Sequence, residues 1–232
     1  MTASRTLKIP QHIGIILDGN RRWARRNGKT IYEGHKEGLM NLGRIIDACI
    51  KRGIKILTVY AFSTENQKRA REEIEGLFRI FKYFMSRNRQ NLKKKGVRVK
   101  ILGDISYFPP DLQKEIKSTV EFLKNEKFFQ LNVALNYGGR ADIVQAVNKI
   151  IQTIKPQKIT EDLIANNLYT AGDPDPDMII RPGGEQRLSN FLIWQASYSE
   201  LYFCSKFWPE FDEKELDKAI EEYSRRERRF GG

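Results

Sequence analysis

The segment with the clearest chemical potential is Asp18–Arg22, which reads Asp-Gly-Asn-Arg-Arg and directly follows the apolar run Ile13–Leu17. This run predicts a buried strand, and α/β sheets bind their ligands at the carboxyl ends of such strands. A carboxylate can hold a hard metal ion, and arginine guanidinium groups bind phosphate oxygens in pairs. We therefore interpret the segment as a diphosphate site. The alternative is an ordinary turn into a helix, with Asp18 or Asn20 as the N-cap.

Similar polar clusters follow three further predicted strands. The strands and their clusters are 54–62 with Ser63–Asn66, 128–137 with Gly138–Arg140, and 178–181 with Arg181–Gly184. In a parallel sheet the carboxyl ends of all strands lie at one edge. The four clusters are therefore predicted to lie together at that edge.

The elements that position these clusters alternate between strand and helix patterns. Runs rich in β-forming residues predict strands over 13–17, 54–62, 97–102, 128–137, 178–181 and 200–203. Apolar residues at helical spacing predict helices over 34–50, 74–95, 109–123, 143–154, 189–195 and 212–229. Right-handed crossovers then give an α/β fold with a single central, mostly parallel six-stranded sheet flanked by helices, as one domain over residues 1–232.

The composition indicates an anionic partner. The 232 residues carry a net charge of +12, with basic clusters at Arg21–Lys29, Arg87–Lys100 and Arg225–Arg229. Such a balance is typical of proteins that bind nucleic acids, phosphorylated small molecules or anionic membranes. The chain starts without an apolar signal region and has no apolar run of membrane-spanning length, so we expect a cytoplasmic location.

Several familiar site patterns are incomplete in this sequence. Two distant cysteines, Cys49 and Cys204, form neither a disulfide framework nor a zinc motif, and we expect both to be core thiols. Gly28–Thr30 is similar to the end of a P-loop, but Trp23 stands where the earlier glycine is required. In Asp173–Asp177 three aspartates alternate with prolines, which favours turn chemistry over metal binding.

Ten residues remain as candidates for binding and catalysis. They are Asp18, Arg21, Arg22, His35, Asn66, Arg69, Arg181, Arg187, Ser189 and Glu200. Their excess of cations suits a ligand with several phosphate charges, and their two carboxylates suit Mg²⁺, which takes few protein oxygens. Plainer alternatives stay open. His35 can be a helix-start histidine, Glu200 a surface acid, and Arg69 and Arg187 solvated helix arginines.

Ordered blocks along the chain carry a family resemblance. The blocks are Asp18–Trp23, Gly34-His35, Tyr60–Asn66, Asn136–Arg140, Arg181–Phe191, Trp194-Gln195, Glu200–Phe203 and Arg226–Gly232. Together they resemble the cis-prenyltransferases, in particular the bacterial undecaprenyl diphosphate synthases (isoprenyl transferases). The resemblance runs from about Ile9 to Gly232 and agrees with the α/β pattern.

The resemblance implies an enzyme that extends an allylic diphosphate, such as farnesyl diphosphate, by successive cis additions of isopentenyl diphosphate. The product is then a cis-polyprenyl diphosphate, either undecaprenyl diphosphate or a shorter relative, that serves as a lipid carrier for cell-wall glycans. The resemblance further implies a hydrophobic tunnel, Mg²⁺ as cofactor, a homodimer and peripheral contact with the membrane that receives the product. No nucleic acid is expected as partner.

The resemblance also assigns roles to residues. Asp18 is the catalytic carboxylate and shares Mg²⁺ with Glu200, while Asn66 has a part in proton removal. The other matched positions bind substrate: Gly19, Asn20, Arg21, Arg22, Trp23 and His35 at the allylic diphosphate; Ser63, Thr64, Glu65, Gln67 and Arg69 in the closing loop; Arg181, Arg187, Leu188 and Ser189 at the isopentenyl diphosphate.

An apolar set on two strands and the long helix between them supplies candidates for the tunnel lining. Such a stripe is by default ordinary core, and the resemblance implies that part of it is tunnel. The set is Ala61, Phe62, Leu77, Phe78, Phe81, Met85, Phe129, Leu131 and Val133. Phe129 is expected near the floor, so Phe129→Ala is expected to lengthen the products.

Three positions depart from the family pattern. Ile31 stands where a phosphate-binding arginine is common, Gln67 where a tryptophan is usual, and Ala70 where a proline is usual. One diphosphate contact is therefore missing or supplied by Lys29, and we expect a looser closing loop. Two other functions stay open: a catalytically silent partner subunit of the same fold, and a basic nucleic-acid-binding domain.

Overall fold

A six-stranded sheet is the centre of the computed structural model, which describes residues 7–154, 156 and 158–226. The strands are β1 (His12–Ile16), β2 (Ile56–Ser63), β3 (Val97–Leu102), β4 (Phe129–Tyr137), β5 (Met178–Arg181) and β6 (Glu200–Phe203). Their order is β3-β4-β2-β1-β5-β6, and every neighbouring pair is parallel. The predicted sheet is confirmed, and it is wholly parallel.

Helices cover both faces of this sheet. They are α1 (Asn20–Arg26), α2 (Ile31–Lys51), α3 (Arg71–Lys94), α4 (Pro110–Leu123), α5 (Gly139–Lys149), α6 (Glu161–Ala165) and α7 (Glu213–Arg225). The larger core packs apolar residues of α2, α3, α4 and α7 against one face. On the other face, Tyr60 and Tyr137 pack against Phe191 and Leu192 of a long loop. No helix in the described part of the chain is long and apolar enough to cross a membrane.

Two predicted helices need correction. Residues 189–195 form turns and no helix, and Ser189, Asn190 and Leu192 there have φ of 49°, 66° and 45°. The reason is that this loop gives its polar groups to neighbouring strands and loops, as described below. The helix predicted over 143–154 starts earlier, at Gly139, and ends as a π-helical turn over Ile150–Ile154.

Several other expectations are partly tested. α6 was not predicted, and the predicted end of α7 beyond residue 226 lies outside the described residues, as do the ends of the proposed single domain. Cys49 lies in the larger core, where burial raises the pKa of its thiol to about 12. Cys204 is partly buried against the same core.

Candidate active site

The loop after β1 is shaped by a glycine and not by a capping side chain. Gly19 occupies the N-cap position of α1 with φ 101°, and no side chain caps this helix. A Cβ on Gly19 would lie 2.8 Å from the Phe207 ring, so only glycine fits here. The alternative of Asp18 or Asn20 as N-cap is therefore wrong. Within the described residues, Asn20 Oδ1 is buried without a hydrogen-bond partner, which is typical of a polar atom that binds a ligand.

The Asp18 carboxylate lies between two arginines. Arg22 Nη2 donates to Oδ1 at 3.1 Å, and Arg181 Nη2 donates to Oδ2 at 2.9 Å. Arg181 is 4% exposed, and its Nη1 also donates to Ser189 Oγ at 2.8 Å and to the carbonyl oxygen of Arg187. The ends of β1 and β5 are thus joined through a single buried guanidinium group. This network also holds the loop after β5 out of a helical conformation.

A second charged cluster links α1, α2 and α3 through Glu73. Its carboxylate contacts His35 Nε2 at 3.1 Å and Arg69 Nη1 at 3.0 Å, with Arg21 Nε at 3.9 Å. Burial lowers the pKa of His35, and the hydrogen bond to Glu73 opposes this change, so the neutral form of the imidazole is favoured. Burial likewise lowers the pKa of Arg69, and Glu73 opposes that change. Glu73 therefore orients three of the predicted phosphate-binding groups.

The closing loop after β2 is held by its own side chains. The β2 register shifts between Tyr60 and Ser63, as in a bulge beside an active site. Ser63 Oγ accepts from the Asn66 N–H at 3.2 Å, and Asn66 Oδ1 accepts from the Ser63 N–H at 3.2 Å. Gln67, one of the three departures named above, donates from Nε2 to Asn136 Oδ1 at 2.6 Å. Polar contacts thus anchor the loop here.

Asn190 joins the closing loop to the loop after β5. Its Nδ2 donates to Glu65 Oε1 at 2.8 Å, and its Oδ1 accepts from the Arg140 N–H at 2.9 Å. Its carbonyl oxygen accepts from the Gly139 N–H at 2.7 Å. Asn190 was not among the candidates, nor was Glu73. The only sequence signal for Glu73 was its i,i+4 spacing from Arg69, and none pointed to the bridge made by Asn190.

A cavity of about 570 Å³ opens among these loops and extends into the larger core. Predicted site residues at its polar mouth are Asp18, Asn20, His35, Ser63, Glu65, Asn66, Arg69, Arg181 and Ser189. An adjoining polar depression of about 400 Å³ is lined by Gly19, Arg21, Arg22 and Arg25, and shares Asp18, Asn20, His35 and Arg69 with the mouth. Neither lining includes Trp23, Thr64, Gln67, Arg187, Leu188 or Glu200.

The interior of the cavity is apolar. Of the predicted tunnel set, Ala61, Leu77, Phe81, Met85 and Val133 line it, together with Leu39, Leu42, Ile80, Phe84 and Leu135. Phe62, Phe78, Phe129 and Leu131 do not line it. Phe62 packs against Phe78 and Phe108 in the core, so the stripe is divided between core and cavity, and these candidates belong to the core. Phe129 does not form the floor of this cavity.

Glu200 lies away from Asp18 within this chain. It starts β6 and pairs with Met178, which pairs with Ile13 near the start of β1. Glu200 is therefore three residues, or about 10 Å, before the level of Arg181 along the strands. Its carboxylate accepts from Arg226 Nη1 at 2.8 Å. One chain does not bring the two predicted metal ligands together.

The fold and the site define an α/β protein with an apolar cavity whose mouth gathers arginines around one carboxylate. The sequence model of the prenyltransferase family described as undecaprenyl diphosphate synthase matches residues 16–231 of this chain. An isoprenyl transferase of Fusobacterium nucleatum is 49% identical over 224 residues, which cover 97% of this chain and 96% of that protein. A ditrans,polycis-undecaprenyl-diphosphate synthase of Photorhabdus laumondii, described as (2E,6E)-farnesyl-diphosphate specific, is 43% identical, with 97% and 90% covered.

A solved structure has a closely similar fold. Lavandulyl diphosphate synthase from Lavandula x intermedia, in complex with dimethylallyl diphosphate, has a TM-score of 0.93 and 37% identity to this chain, with 97% of this chain and 99% of that one covered. The chain belongs to the undecaprenyl diphosphate synthase family, and it is a cis-prenyltransferase. The resemblance seen in the sequence is thereby confirmed.

Proposed function

We propose that this enzyme adds isopentenyl diphosphate units in cis to an allylic diphosphate primer, farnesyl diphosphate, and releases pyrophosphate at each step. One observation carries the proposal: the cavity is polar and cationic at its mouth, around Asp18, and apolar in its interior. A substrate with a diphosphate head and a prenyl chain has the same two parts. The relatives named for farnesyl-diphosphate specificity and for undecaprenyl diphosphate support this choice.

The two diphosphates are assigned to two sides of Asp18. The depression lined by Gly19, Arg21 and Arg22 suits the allylic diphosphate, because it combines guanidinium groups with the unpaired N–H groups at the start of a helix. Arg181 and Ser189, with Arg187 beside them, suit the isopentenyl diphosphate. The shared position of Asp18 between Arg22 and Arg181 brings the two reacting ends together.

Mg²⁺ is part of the proposal, and Asp18 is the residue of this chain that fits it. The Asp18 side chain is 26% exposed at the cavity mouth. The described residues contain no group of three metal-ligating side chains, which suits an ion that takes most of its ligands from phosphate and water. When bound, Mg²⁺ supplies charge stabilisation for the departing diphosphate. Glu200 remains a proposed second ligand, for which a contribution from a second copy would be needed.

The chain's own residues do the rest. The arginines stabilise the negative charge that develops on the leaving group, and the apolar walls keep water from the allylic cation. Asn66 is a poor base, and its Oδ1 already accepts a hydrogen bond from the Ser63 N–H. We assign to Asn66 an orienting role in proton removal, with the released pyrophosphate as the acceptor.

A homodimer is proposed from an exposed apolar face. Val144, Ile151 and Ile154 are 58%, 56% and 47% exposed, and their spacing places them on one side of α5 and the turn that follows it. Burying this face against a second copy would remove apolar surface from water. We expect a dimer by light scattering, and a monomer would contradict it. The carboxyl-terminal tail, which the resemblance places at the partner's site, lies outside the described residues.

The decisive experiment is incorporation of labelled isopentenyl diphosphate by purified protein with farnesyl diphosphate and Mg²⁺, with the products sized. Mg²⁺-dependent incorporation into long chains is expected. Absence of incorporation with every allylic primer would overturn the proposal and favour a silent partner subunit.

Since Phe84 and Met85 line the interior, Phe84→Ala is expected to lengthen the products, and Phe129→Ala serves as the comparison from the surrounding core. A cytoplasmic location is proposed with this function, and the unpaired Cys49 and Cys204 suit that compartment.

A further inference from the structure

The outer side of α3 changes character halfway along the helix. After Glu75 the sequence contains no aspartate or glutamate until Asp104. One side of this half exposes five cations and a tyrosine, with Ser86 and Gln90 between them. We call the six residues Arg79, Lys82, Tyr83, Arg87, Lys93 and Lys94 the α3 outer face. Tyr83 is 61% exposed among these cations. The α3 outer face thus combines five cations with one exposed aromatic ring, and it overlaps the basic cluster noted in the sequence.

The positive charge of the α3 outer face is mostly not neutralised. Among the described residues, only Lys82 of this face has an ion pair, with Asp111 at 2.6 Å. Arg87 lies over the Tyr83 ring at 5.9 Å from its centroid, and Lys93 over the Phe122 ring at 4.3 Å. These contacts fix side chains against the surface and leave their charge in place. Four cations therefore present an uncompensated field to an approaching partner.

The opposite side of the same helix is the wall of the active-site cavity. Leu77, Ile80, Phe81, Phe84 and Met85 of α3 line the apolar interior. The polar mouth lies at the amino end of α3, near Glu73, and the cavity runs toward the half that carries the α3 outer face. Only one helix thus separates the growing chain from this cationic surface.

We propose that the α3 outer face docks on an anionic lipid surface, which takes up the product. The inference rests on the proposed function, because a long prenyl chain with a diphosphate head is poorly soluble in water and needs a bilayer. Cations along a helix that lies flat, with an aromatic ring between them, suit the headgroup region of a membrane. Nucleic acid would use the same cations, but it gives no role to the apolar cavity behind them.

The test is co-sedimentation of the full-length protein with vesicles. Binding is expected to vesicles of phosphatidylcholine mixed with phosphatidylglycerol, to be weak with phosphatidylcholine alone, and to fall as salt is added. Each cation near an anionic surface raises the partition coefficient roughly fivefold, so Arg87→Gln/Lys94→Gln is expected to lower it by roughly twenty-five-fold. Tyr83→Ser is expected to lower it by a smaller factor, because it removes one interfacial ring.

A matched control removes the same charge elsewhere. Lys149 on α5 and Lys214 on α7 are exposed and lie outside the α3 outer face. Lys149→Gln/Lys214→Gln is expected to change the partition coefficient by less than about twofold. Equal losses in the two double variants would overturn the proposal, since binding would then depend only on net charge. Binding to a short DNA duplex and not to the anionic vesicles would overturn it in favour of nucleic acid.

Turnover separates this proposal from the proposed function. With farnesyl diphosphate in detergent, both double variants are expected to incorporate isopentenyl diphosphate at the rate of the unmodified enzyme. Normal turnover without vesicle binding would contradict the docking alone. Vesicle binding through the α3 outer face without any turnover would contradict the proposed function and leave the docking surface in place.

Discussion

The strands of the sheet begin at one edge, the amino edge, and end at the opposite one, the carboxyl edge. The two edges carry similar polar side chains that serve different purposes. Toward the amino edge, His12 Nδ1 donates to the carbonyl oxygen of Pro174 at 2.7 Å, and the Thr58 hydroxyl donates to His12 Nε2 at 2.7 Å. Asn132 Nδ2 donates to Thr58 Oγ1 at 3.1 Å and to Asp173 Oδ2 at 3.0 Å. Each group here has its partner within the chain. This network serves the fold.

At the carboxyl edge, cationic side chains outnumber the carboxylates that they contact. Asp18 faces both Arg22 and Arg181, and Asn20 Oδ1 is buried without a partner among the described residues. An open cavity lies beside them, whereas the amino-edge network encloses its polar groups. Buried polar groups that form hydrogen bonds with one another thus stabilise the fold. Buried polar groups without such partners, beside a cavity, indicate a ligand-binding site.

The aspartates of Asp173–Asp177 belong to the structural network at the amino edge. Asp173 is paired with Lys100 at 3.0 Å, and Asp177 Oδ2 accepts from the Gln11 and His12 N–H groups at 2.7 and 3.1 Å. They hold the loop before β5, as the predicted turn chemistry requires.

The largest expected effect is at Asp18. Asp18→Ala is expected to reduce kcat by roughly 10³-fold or more, because the charge arrangement around the leaving diphosphate is lost. Because Asp18→Ala also leaves the buried Arg181 guanidinium group without its carboxylate, its thermal unfolding midpoint is expected to fall, and kcat is compared below the unfolding transition. Asp18→Asn keeps the size and removes the charge, so it is expected to be similarly slow. Incorporation assays and thermal unfolding measure both properties, and retained activity in either variant would remove Asp18 from its role.

At the amino edge, stability alone is expected to change. Asn132→Ala removes the donor to the buried Thr58 hydroxyl oxygen and one of the donors to Asp173, and it is expected to lower the free energy of unfolding by about 1–3 kcal/mol. The kcat below the unfolding transition is expected to be unchanged. Denaturant unfolding and the incorporation assay measure the two quantities, with exposed Asn91→Ala as control. A loss of kcat without a loss of stability would break the contrast between the edges.

A smaller effect is expected where the carboxyl-edge loops meet. Asn190→Gly removes the bridge to Glu65 and Arg140 and tolerates the φ of 66°. We expect KM for isopentenyl diphosphate to rise about tenfold, which corresponds to one hydrogen bond, with a smaller change in kcat. Asn190→Ala removes the same bridge and adds backbone strain, so it is expected to lose stability as well. An unchanged KM in the glycine variant would show that the bridge does not position the loops.

A further effect is expected on the pH dependence of stability. Burial lowers the pKa of both His12 and His35 from 6.5 in the folded protein. Below this pH the unfolded chain takes up protons that the folded chain does not, so the free energy of unfolding falls as the pH drops. Each histidine contributes at most about 1.4 kcal/mol per pH unit, until the folded pKa is reached. Urea unfolding at several pH values measures the slope.

The histidine origin of this slope has its own control. The chain contains 2 histidines, so a variant with glutamine at both positions is expected to lack this component between neutral pH and about pH 5. A slope that persists unchanged in this variant would assign the pH dependence to other groups.

Local sequence patterns predicted the sheet and the place of the site. Short apolar runs such as Ile13–Leu17 are buried on both faces only in a covered parallel sheet, so they predicted strands to within two residues. Because parallel strands end at one edge, the polar clusters after them, including Asp18–Arg22 and Arg181–Gly184, were predicted to meet. The contact of Arg181 with Asp18 across 163 positions agrees with this.

The contacts between side chains depend on how the whole chain packs. Glu73 and Asn190 join elements that are distant in the chain, and their partners depend on how helices and loops pack. The apolar stripe that contains Phe129 is divided between core and cavity. Its hydrophobic pattern predicts that these side chains are buried, but not whether each one faces another side chain or the cavity. The loop over 189–195 has a helical apolar pattern, yet its contacts with Arg181 and Gly139 override that local preference. Local sequence patterns thus fix elements and their ends, while side-chain partners follow from packing across the whole chain.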